Sequence, residues 1–444
     1  MNNQQSQDLW GRVGQWVAGS YSLKIMVIGF LILVLQIPLL MITSTIDDRE
    51  TNRDVAEQSV TSTYGKRQSL LGPVIEVPYK KKILTEVMGK NVPKTVISYG
   101  YFLPETLQIT SEVKGEIRYR GIFEVPLYKT KLTLDGTFAA PSFEGMVEAE
   151  EDILWHQSRV LVGISDPRAI NNQVVLGWQG QDHDFRPGGG TLFETGIHTP
   201  ISLKEGGDVT SFRMTLNLNG SVSLMFGPFG KTTKLQMTSD WPDPSFIGKW
   251  LPQSRTIKDD GFTAAWAVPY LGRDFPQKFT QDQGVVLNQN QFGVKFLSMI
   301  DPYAMSHRSI KYQLLFLGLV FLCAFMVELL TGLKIHPIQY FLIGAALCLF
   351  YLVLLSLSEH IGFLGAYLGA SFSTVALIAG YSFAVLKTGQ RALTMAAVLT
   401  FLFVFLYMLL RVQDYALLFG SGGLFLALGL VMYLTRNVDW YRSS

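Results

Sequence analysis

Apolar runs long enough to cross a bilayer stand at both ends of this 444-residue chain and enclose a long polar stretch patterned as strands. One run covers residues 24–46, and five more follow between positions 312 and 434. A membrane-spanning helix needs about 20 mostly apolar residues, a length each of the six reaches. In lipid such segments must satisfy their backbone hydrogen bonds internally, so they are expected to be helices. Residues 47–310 must instead fold by burying one face of each strand.

Composition agrees with two materials in one chain. The hydrophobic share of 48% is low for a wholly embedded protein, and six such runs are foreign to a soluble one. A net charge of +2 without a basic patch leaves no nucleic-acid footprint. Both cysteines, Cys323 and Cys348, fall inside apolar runs, so the polar domain has neither a disulfide nor a thiolate metal site. The first run is longer than a signal-peptide core and leads into Thr43-Ser44-Thr45-Ile46-Asp47-Asp48 with no small-x-small cleavage site. It reads as an uncleaved signal anchor.

Basic residues in short loops mark the cytoplasmic side. With the N-terminus inside, Arg12, Lys24, Lys334, Lys387, Arg391, Arg436 and Arg442 fall there, against Arg411, beside Asp414, in the opposite loops. Trp10, Trp16, Tyr21, Trp440 and Tyr441 gather at the same interface. Arg308 and Lys311 lie outside the second run and weigh mildly against this, but large domains translocate largely regardless of charge. The expected topology is N-in and C-in, with the middle domain outside.

Within that domain, residues 47–60 are charged and free of Gly and Pro, which continues the first helix as a stalk. Apolar and polar residues then alternate from Phe212 to Leu224, the pattern of a strand with one wet face. Gly227-Pro228-Phe229-Gly230 reads as a turn, with Leu235 and Met237 on the return strand. Val113, Ile117 and Tyr119 alternate with charged neighbours in the same way. Further strands are expected near 74–77, 96–102, 132–138, 160–164, 263–268 and 293–299. Gly188-Gly189-Gly190 reads as a loop.

The fold class is a multi-pass α-helical membrane bundle of six transmembrane helices with a large antiparallel β-sandwich-like periplasmic domain, of two sheets of unequal size, inserted between helices 1 and 2. The divisions are a cytoplasmic segment 1–23, a first helix 24–46, the β-rich domain 47–310, a five-helix bundle 311–435 and a cytoplasmic tail 436–444. Small-residue stripes, Gly365-x-x-x-Gly369-x-x-x-Ser373 and Gly423-x-x-x-Ala427, read as close helix packing in lipid.

Ionisable residues inside membrane spans are the first place to look for chemistry. Glu328 lies near the cytoplasmic end of the second run and is followed by His336; Glu359 and His360 lie at the outer end of the third. A shared Glu/His metal or proton site fails on geometry, because about 30 Å of hydrocarbon separates the two pairs. Each pair alone has too few ligands for zinc, and capping of helix ends is the favoured reading. Asp182-His183-Asp184 reads as an exposed loop. Hydrolase and zincin signatures are absent, so the sequence nominates no catalytic residue, no metal ligand and no cofactor.

One polar-domain motif stands apart. Trp241-Pro242-Asp243-Pro244-Ser245-Phe246-Ile247-Gly248 leads through Trp250 and Leu251-Pro252 to Gly261-Phe262-Thr263-Ala264-Ala265-Trp266. Two prolines around Asp243 fix an extended segment. Its aromatics either line a groove for a peptide or sugar or pack a corner where a strand changes sheets, and the corner is favoured.

This segment resembles the signature of the CreD family of bacterial inner-membrane proteins. Leu71-Gly72-Pro73-Val74-Ile75, Phe102-Leu103-Pro104-Glu105-Thr106-Leu107, and Arg308 with Lys311-Tyr312 are also similar. So are Glu328-Leu329-Leu330-Thr331, His336-Pro337-Ile338-Gln339-Tyr340, Ser356-Leu357-Ser358-Glu359-His360-Ile361-Gly362-Phe363 and Leu434-Thr435-Arg436-Asn437-Val438-Asp439-Trp440-Tyr441. The resemblance runs from about Ile25 to Tyr441. The chain departs from the pattern before its first span, where Trp10, Arg12 and Trp16 suggest a short interfacial helix.

The resemblance implies an inner-membrane protein tied to envelope stress and colicin tolerance, under two-component control in many Gram-negative bacteria. It brings no catalytic residues. The leading expectation is a non-enzymatic envelope-integrity protein in contact with membrane lipids, whose periplasmic β-domain binds an envelope protein or polymer. The alternatives are a transporter or lipid-handling protein, and a membrane-bound envelope hydrolase. Glu328, His336, Glu359, His360, Trp241, Asp243, Trp250 and Trp266 are the candidate functional or interface positions. Oligomeric state is not legible.

Overall fold

The computed structural model describes residues 21–87, 90–147, 152–296, 302–331, 335–386, 389–412 and 415–436. Trp10, Arg12, Trp16, Lys334, Lys387, Asp414, Trp440, Tyr441 and Arg442 lie outside them. The chain divides into two compact units, one formed by Met1–Arg53 with Ile300–Ser444 and the other by Asp54–Met299.

The first helix is α1 (Tyr21–Tyr64), of which the part up to Arg53 belongs to the helical unit, and it runs unbroken from the apolar run through the charged stretch 47–60. After the β-rich unit come α2 (Pro302–Lys311), α3 (Gln313–Thr331), α4 (Pro337–Leu386), α5 (Gly389–Arg411) and α6 (Ala416–Thr435). Five of these helices, all but α2, are long and apolar enough to cross a membrane. The sequence reading expects two helices where α4 stands. The 50-residue α4 does contain a break, at Gly362, whose φ of 74° and ψ of 163° are non-helical. A left-handed φ is cheap only for glycine, and no neighbouring atom crowds this position. The rings of Phe350 and Tyr367 are 5.6 Å apart. In a straight helix, 17 residues would separate them by about 25 Å. The stretches 337–361 and 363–386 therefore fold back on one another.

An aromatic cluster ties these helices together. Phe403 of α5 lies 4.9 Å from Phe316 of α3 and 4.8 Å from Phe350, and its carbonyl accepts the Tyr367 hydroxyl at 2.7 Å. At the other extreme, only 6% of the apolar window of α6 is buried, against 56% for α4. A helix apolar all round with so little protein cover suits a hydrocarbon solvent.

The β-rich unit contains a ten-stranded and an eight-stranded sheet. Their facing side chains form one hydrophobic core. The ring of Tyr128 in the eight-stranded sheet packs at a tilt 4.9 Å from Phe296 of the other, and its hydroxyl donates to the Ser223 carbonyl at 2.7 Å. The sheets are not wholly antiparallel, as the sequence reading expects. Strand Gln68–Val87 pairs in parallel with Ser223–Phe226, and Thr232–Ser239 with Thr106–Arg120. Such pairs join segments distant in sequence, which local alternation does not encode.

The alternation at 212–224 is also cut. Strand Thr210–Ser221 ends in the eight-stranded sheet, and Ser223–Phe226 continues in the ten-stranded one. Between them Val222 has a φ of 62°, a conformation that costs a residue with a Cβ about 1–3 kcal/mol. Residues 227–230 consequently connect two sheets, and Thr232–Ser239 is no hairpin partner of the strand before it. Along Thr106–Arg120, Val113 is buried, but Ile117 and Tyr119 are 49% and 66% exposed. The reason is that neighbouring strands stop at Val113 and Leu127, so the hairpin tip projects as two strands alone. Asp182-His183-Asp184 is an edge strand, Gln181–Asp184, rather than a loop. The glycines at 188–190 do form a loop.

Candidate functional site

Glu328 is 2% exposed near the end of α3. A buried carboxylate needs partners, because taking an ion out of water costs several kcal/mol. It has three. Lys24, in the first turns of α1 and itself buried, forms an ion pair with Oε1. The Ile335 N–H donates to the same oxygen at 3.2 Å, and the Tyr340 hydroxyl donates to Oε2 at 2.9 Å. One carboxylate thus joins α1, α3, the connection after α3 and the start of α4. The sequence reading places Lys24 among the basic groups of a cytoplasmic segment; the structure puts it inside a helix and pairs it.

His336 is exposed and stays out of this network. Its Nδ1 accepts the Ile338 N–H at 3.3 Å, while its own N–H donates to Gln339 Oε1 at 3.0 Å. The two hydrogen bonds cap the first turn of α4, with the histidine side chain accepting the N–H of the second helical residue. Glu359 lies 19 residues beyond Tyr340 in the stretch 337–361, hence about 28 Å away. Its Oε1 accepts the Tyr303 hydroxyl at 2.9 Å and sits 3.8 Å from Arg49 of α1. Burial first, then the hydrogen bond to Glu359, raises the Tyr303 phenol pKa. Arg53 covers the Tyr303 ring at 5.4 Å, and His307 of α2 reaches Asp47 and Glu50 at 3.3 and 3.4 Å. His360 is exposed beside this second cluster. Glu328 and Glu359 therefore sit in separate clusters, each tying α1 to other helices. Among the described residues no group of three or more His, Cys, Asp or Glu side chains is placed to hold a metal ion.

The aromatic motif sits where the chain crosses between sheets. Strand Thr232–Ser239 belongs to the eight-stranded sheet, Pro244–Gly248 to the ten-stranded one, and Ser254–Lys258 to the eight-stranded one again. Trp241 is 8% exposed and meets Phe296 edge-on at 5.9 Å. Trp266 is 2% exposed; its ring packs on Phe246 at 5.7 Å, and its Nε1–H donates to the Trp250 carbonyl at 3.3 Å. Trp250 is half-buried against Phe292, and Asp243 is exposed. Most of this aromatic surface is spent on the core, which leaves Asp243 and the outer part of Trp250 to solvent.

Lys24, Tyr340, Tyr303 and Arg49 are partners that sequence reasoning misses. A lysine opening an apolar run is the one available signal, and loop counting assigns it elsewhere. The β-rich unit holds a further buried carboxylate. Glu76 is wholly buried, pairs with Arg159, and accepts the N–H and hydroxyl of Thr191 at 3.1 and 2.5 Å.

Among the described residues, the helices border a cavity of about 30 Å³ at Ile335, Gln339, Tyr381 and Ser382. The β-rich unit has an open cleft of about 400 Å³.

The chain matches the family model described as Inner membrane protein CreD over residues 20–441. It is 31% identical over 418 residues to the Inner membrane protein CreD of Escherichia coli (strain K12), covering 93% of this chain and 92% of that protein. Its apolar helices fit the inner membrane named in that description. A match over nearly the whole length leaves one conclusion: the chain belongs to the CreD family of inner membrane proteins.

Proposed function

We propose that this chain is a non-enzymatic envelope-integrity protein of the stress-response type, whose β-rich unit lies in the periplasm and binds an envelope component. Six spans anchor it, namely α1, α3, the stretches 337–361 and 363–386, α5 and α6, with both termini in the cytoplasm. The observation that carries this reading is the open cleft of about 400 Å³ in the β-rich unit. Small-molecule sites occupy roughly 300–1,000 Å³.

The charges support the same division. Ion-coupled transporters place ionisable groups near the bilayer midplane. Here Glu328 and Glu359 lie toward opposite helix ends and already have partners. The test is site-specific photo-crosslinking in intact cells from exposed β-rich positions such as Ser254, paired with a reporter fusion at that residue. The reading expects the fusion to be active only outside the cytoplasm and a discrete envelope species to be captured. A cytoplasmic fusion signal, or capture from the helices alone, defeats it.

A further inference from the structure

The cleft of about 400 Å³ has a definite place in the fold. Strand Gln181–Asp184 closes one edge of the eight-stranded sheet, and Arg186–Pro187 closes one edge of the ten-stranded sheet. The chain passes from one to the other at Phe185, whose N–H donates to the Val174 carbonyl at 3.3 Å. The cleft opens at this seam, where both sheets end and neither covers the other.

Its lining has two chemistries. Ile170, Val174, Phe185 and Ile197 supply an apolar wall, and Arg168 and Arg186 supply cationic groups. Arg168 is fixed by two hydrogen bonds to Asp166, at 2.8 and 3.1 Å. Burial is the largest influence and pushes the Asp166 carboxyl upward, but the Arg168 hydrogen bonds and charge together with the Lys66 N–H hold its pKa below the ordinary value, so this support persists in mild acid. Asp184, two residues before Arg186, is also engaged: Gln173 Nε2–H donates to its Oδ1 at 2.9 Å. Arg186 is exposed and makes no ion pair among the described residues. An arginine in this state presents a fork that matches a carboxylate or phosphate.

From this juxtaposition we propose that the seam cleft binds a small amphipathic anion, its apolar part against Ile170, Val174, Phe185 and Ile197 and its carboxylate or phosphate on Arg186. Arg168, paired with Asp166, adds guanidinium hydrogen-bond donors at the mouth rather than net charge. This rests on the reading of the β-rich unit as the binding unit and names the class of ligand it takes.

The test uses the full chain in phosphatidylcholine nanodiscs with a diazirine-bearing decanoate as the probe. Light is expected to attach it to peptides carrying Ile170, Val174 and Phe185. Decanoate or decyl phosphate should protect these peptides, and the stronger competitor identifies the headgroup. Decanol and acetate, lacking the charge or the tail, should not protect. Arg186→Gln is expected to weaken labelling about tenfold, as loss of a charged hydrogen bond does. Ile170→Trp fills the cleft with both arginines intact and should abolish labelling, with an unchanged melting temperature as the check on folding. Equal protection by decanol, or labelling that neither variant changes, overturns the proposal. Capture in cells from Ser254 is scored separately. If it survives while cleft labelling fails, the binding role of the β-rich unit stands without this ligand class; if both fail, both are lost.

Discussion

Each unit hides a carboxylate from solvent, and the two do so differently. Glu76 in the β-rich unit is 0% exposed, but its partner Arg159 keeps 28% of its side chain in water. Glu328 in the helical unit is 2% exposed, and Lys24 opposite it keeps 6%. A domain folded in water can leave one end of a buried pair wet. Helices in lipid have no water to turn to, so both ions and their remaining hydrogen bonds must be satisfied inside the bundle. The consequence is structural: the Glu328 group ties α1, α3 and α4 into one assembly, whereas the Glu76 group pins the loop after the glycines at 188–190 to a sheet.

The contrast can be broken most directly at the carboxylates. Glu328→Gln leaves Lys24 buried without a counter-charge and is expected to cost about 3–5 kcal/mol of stability in denaturant titrations in mixed micelles. Lys24→Met combined with Glu328→Leu should recover most of that loss, since an apolar pair of similar volume removes both desolvation penalties. Glu76→Gln is expected to cost less, about 1–3 kcal/mol, because Arg159 can rehydrate. Equal losses at the two sites would erase the distinction.

Alkaline pH sharpens the water-side half. The Tyr101 phenol is pushed up to about 12, chiefly by burial, although its hydrogen bond with Thr191 works the other way. A folded pKa above the ordinary value of about 10 means that the proton stabilises the fold. That contribution is fully present below about pH 10 and is lost as pH rises toward about 12. Melting temperature measured across this window should fall more steeply for the natural protein than for Tyr101→Phe, and parallel curves contradict the assignment. The smallest effect is expected at His336. Removing its cap by His336→Ala should cost about 1 kcal/mol in the same titrations. A much larger loss would mean that this residue does more than start α4.

Much of the architecture is legible in the residues themselves. The apolar runs yield the helices, and the charged stretch 47–60 continues α1 as its composition suggests. The chain's passages between sheets are harder to see. At Val222 a β-branched residue takes a φ of 62°, a position where sequence rules look for glycine. The parallel pairings join residues more than a hundred positions apart, such as Thr232 with Thr106, and alternation carries no information about them. Of the candidate positions, Glu328 stands out as a charge in an apolar run, but its partner Lys24 lies 304 residues away in sequence. Trp241 and Trp266 stand out as a rigid aromatic motif; only packing reveals how little of them faces solvent. The seam cleft draws its walls from Ile170 to Ile197 across two sheets, and no short motif announces it.

The central claim is that binding belongs to the β-rich unit and the helices anchor it. A photo-reactive amino acid placed in living cells at Gln173, on the cleft, or at Leu377, exposed on α4, tests it most directly. The account expects a discrete envelope species at position 173, retained in the Lys24→Met and Glu328→Leu double variant, and only bulk lipid at position 377. A discrete species at 377 with nothing at 173 would contradict it.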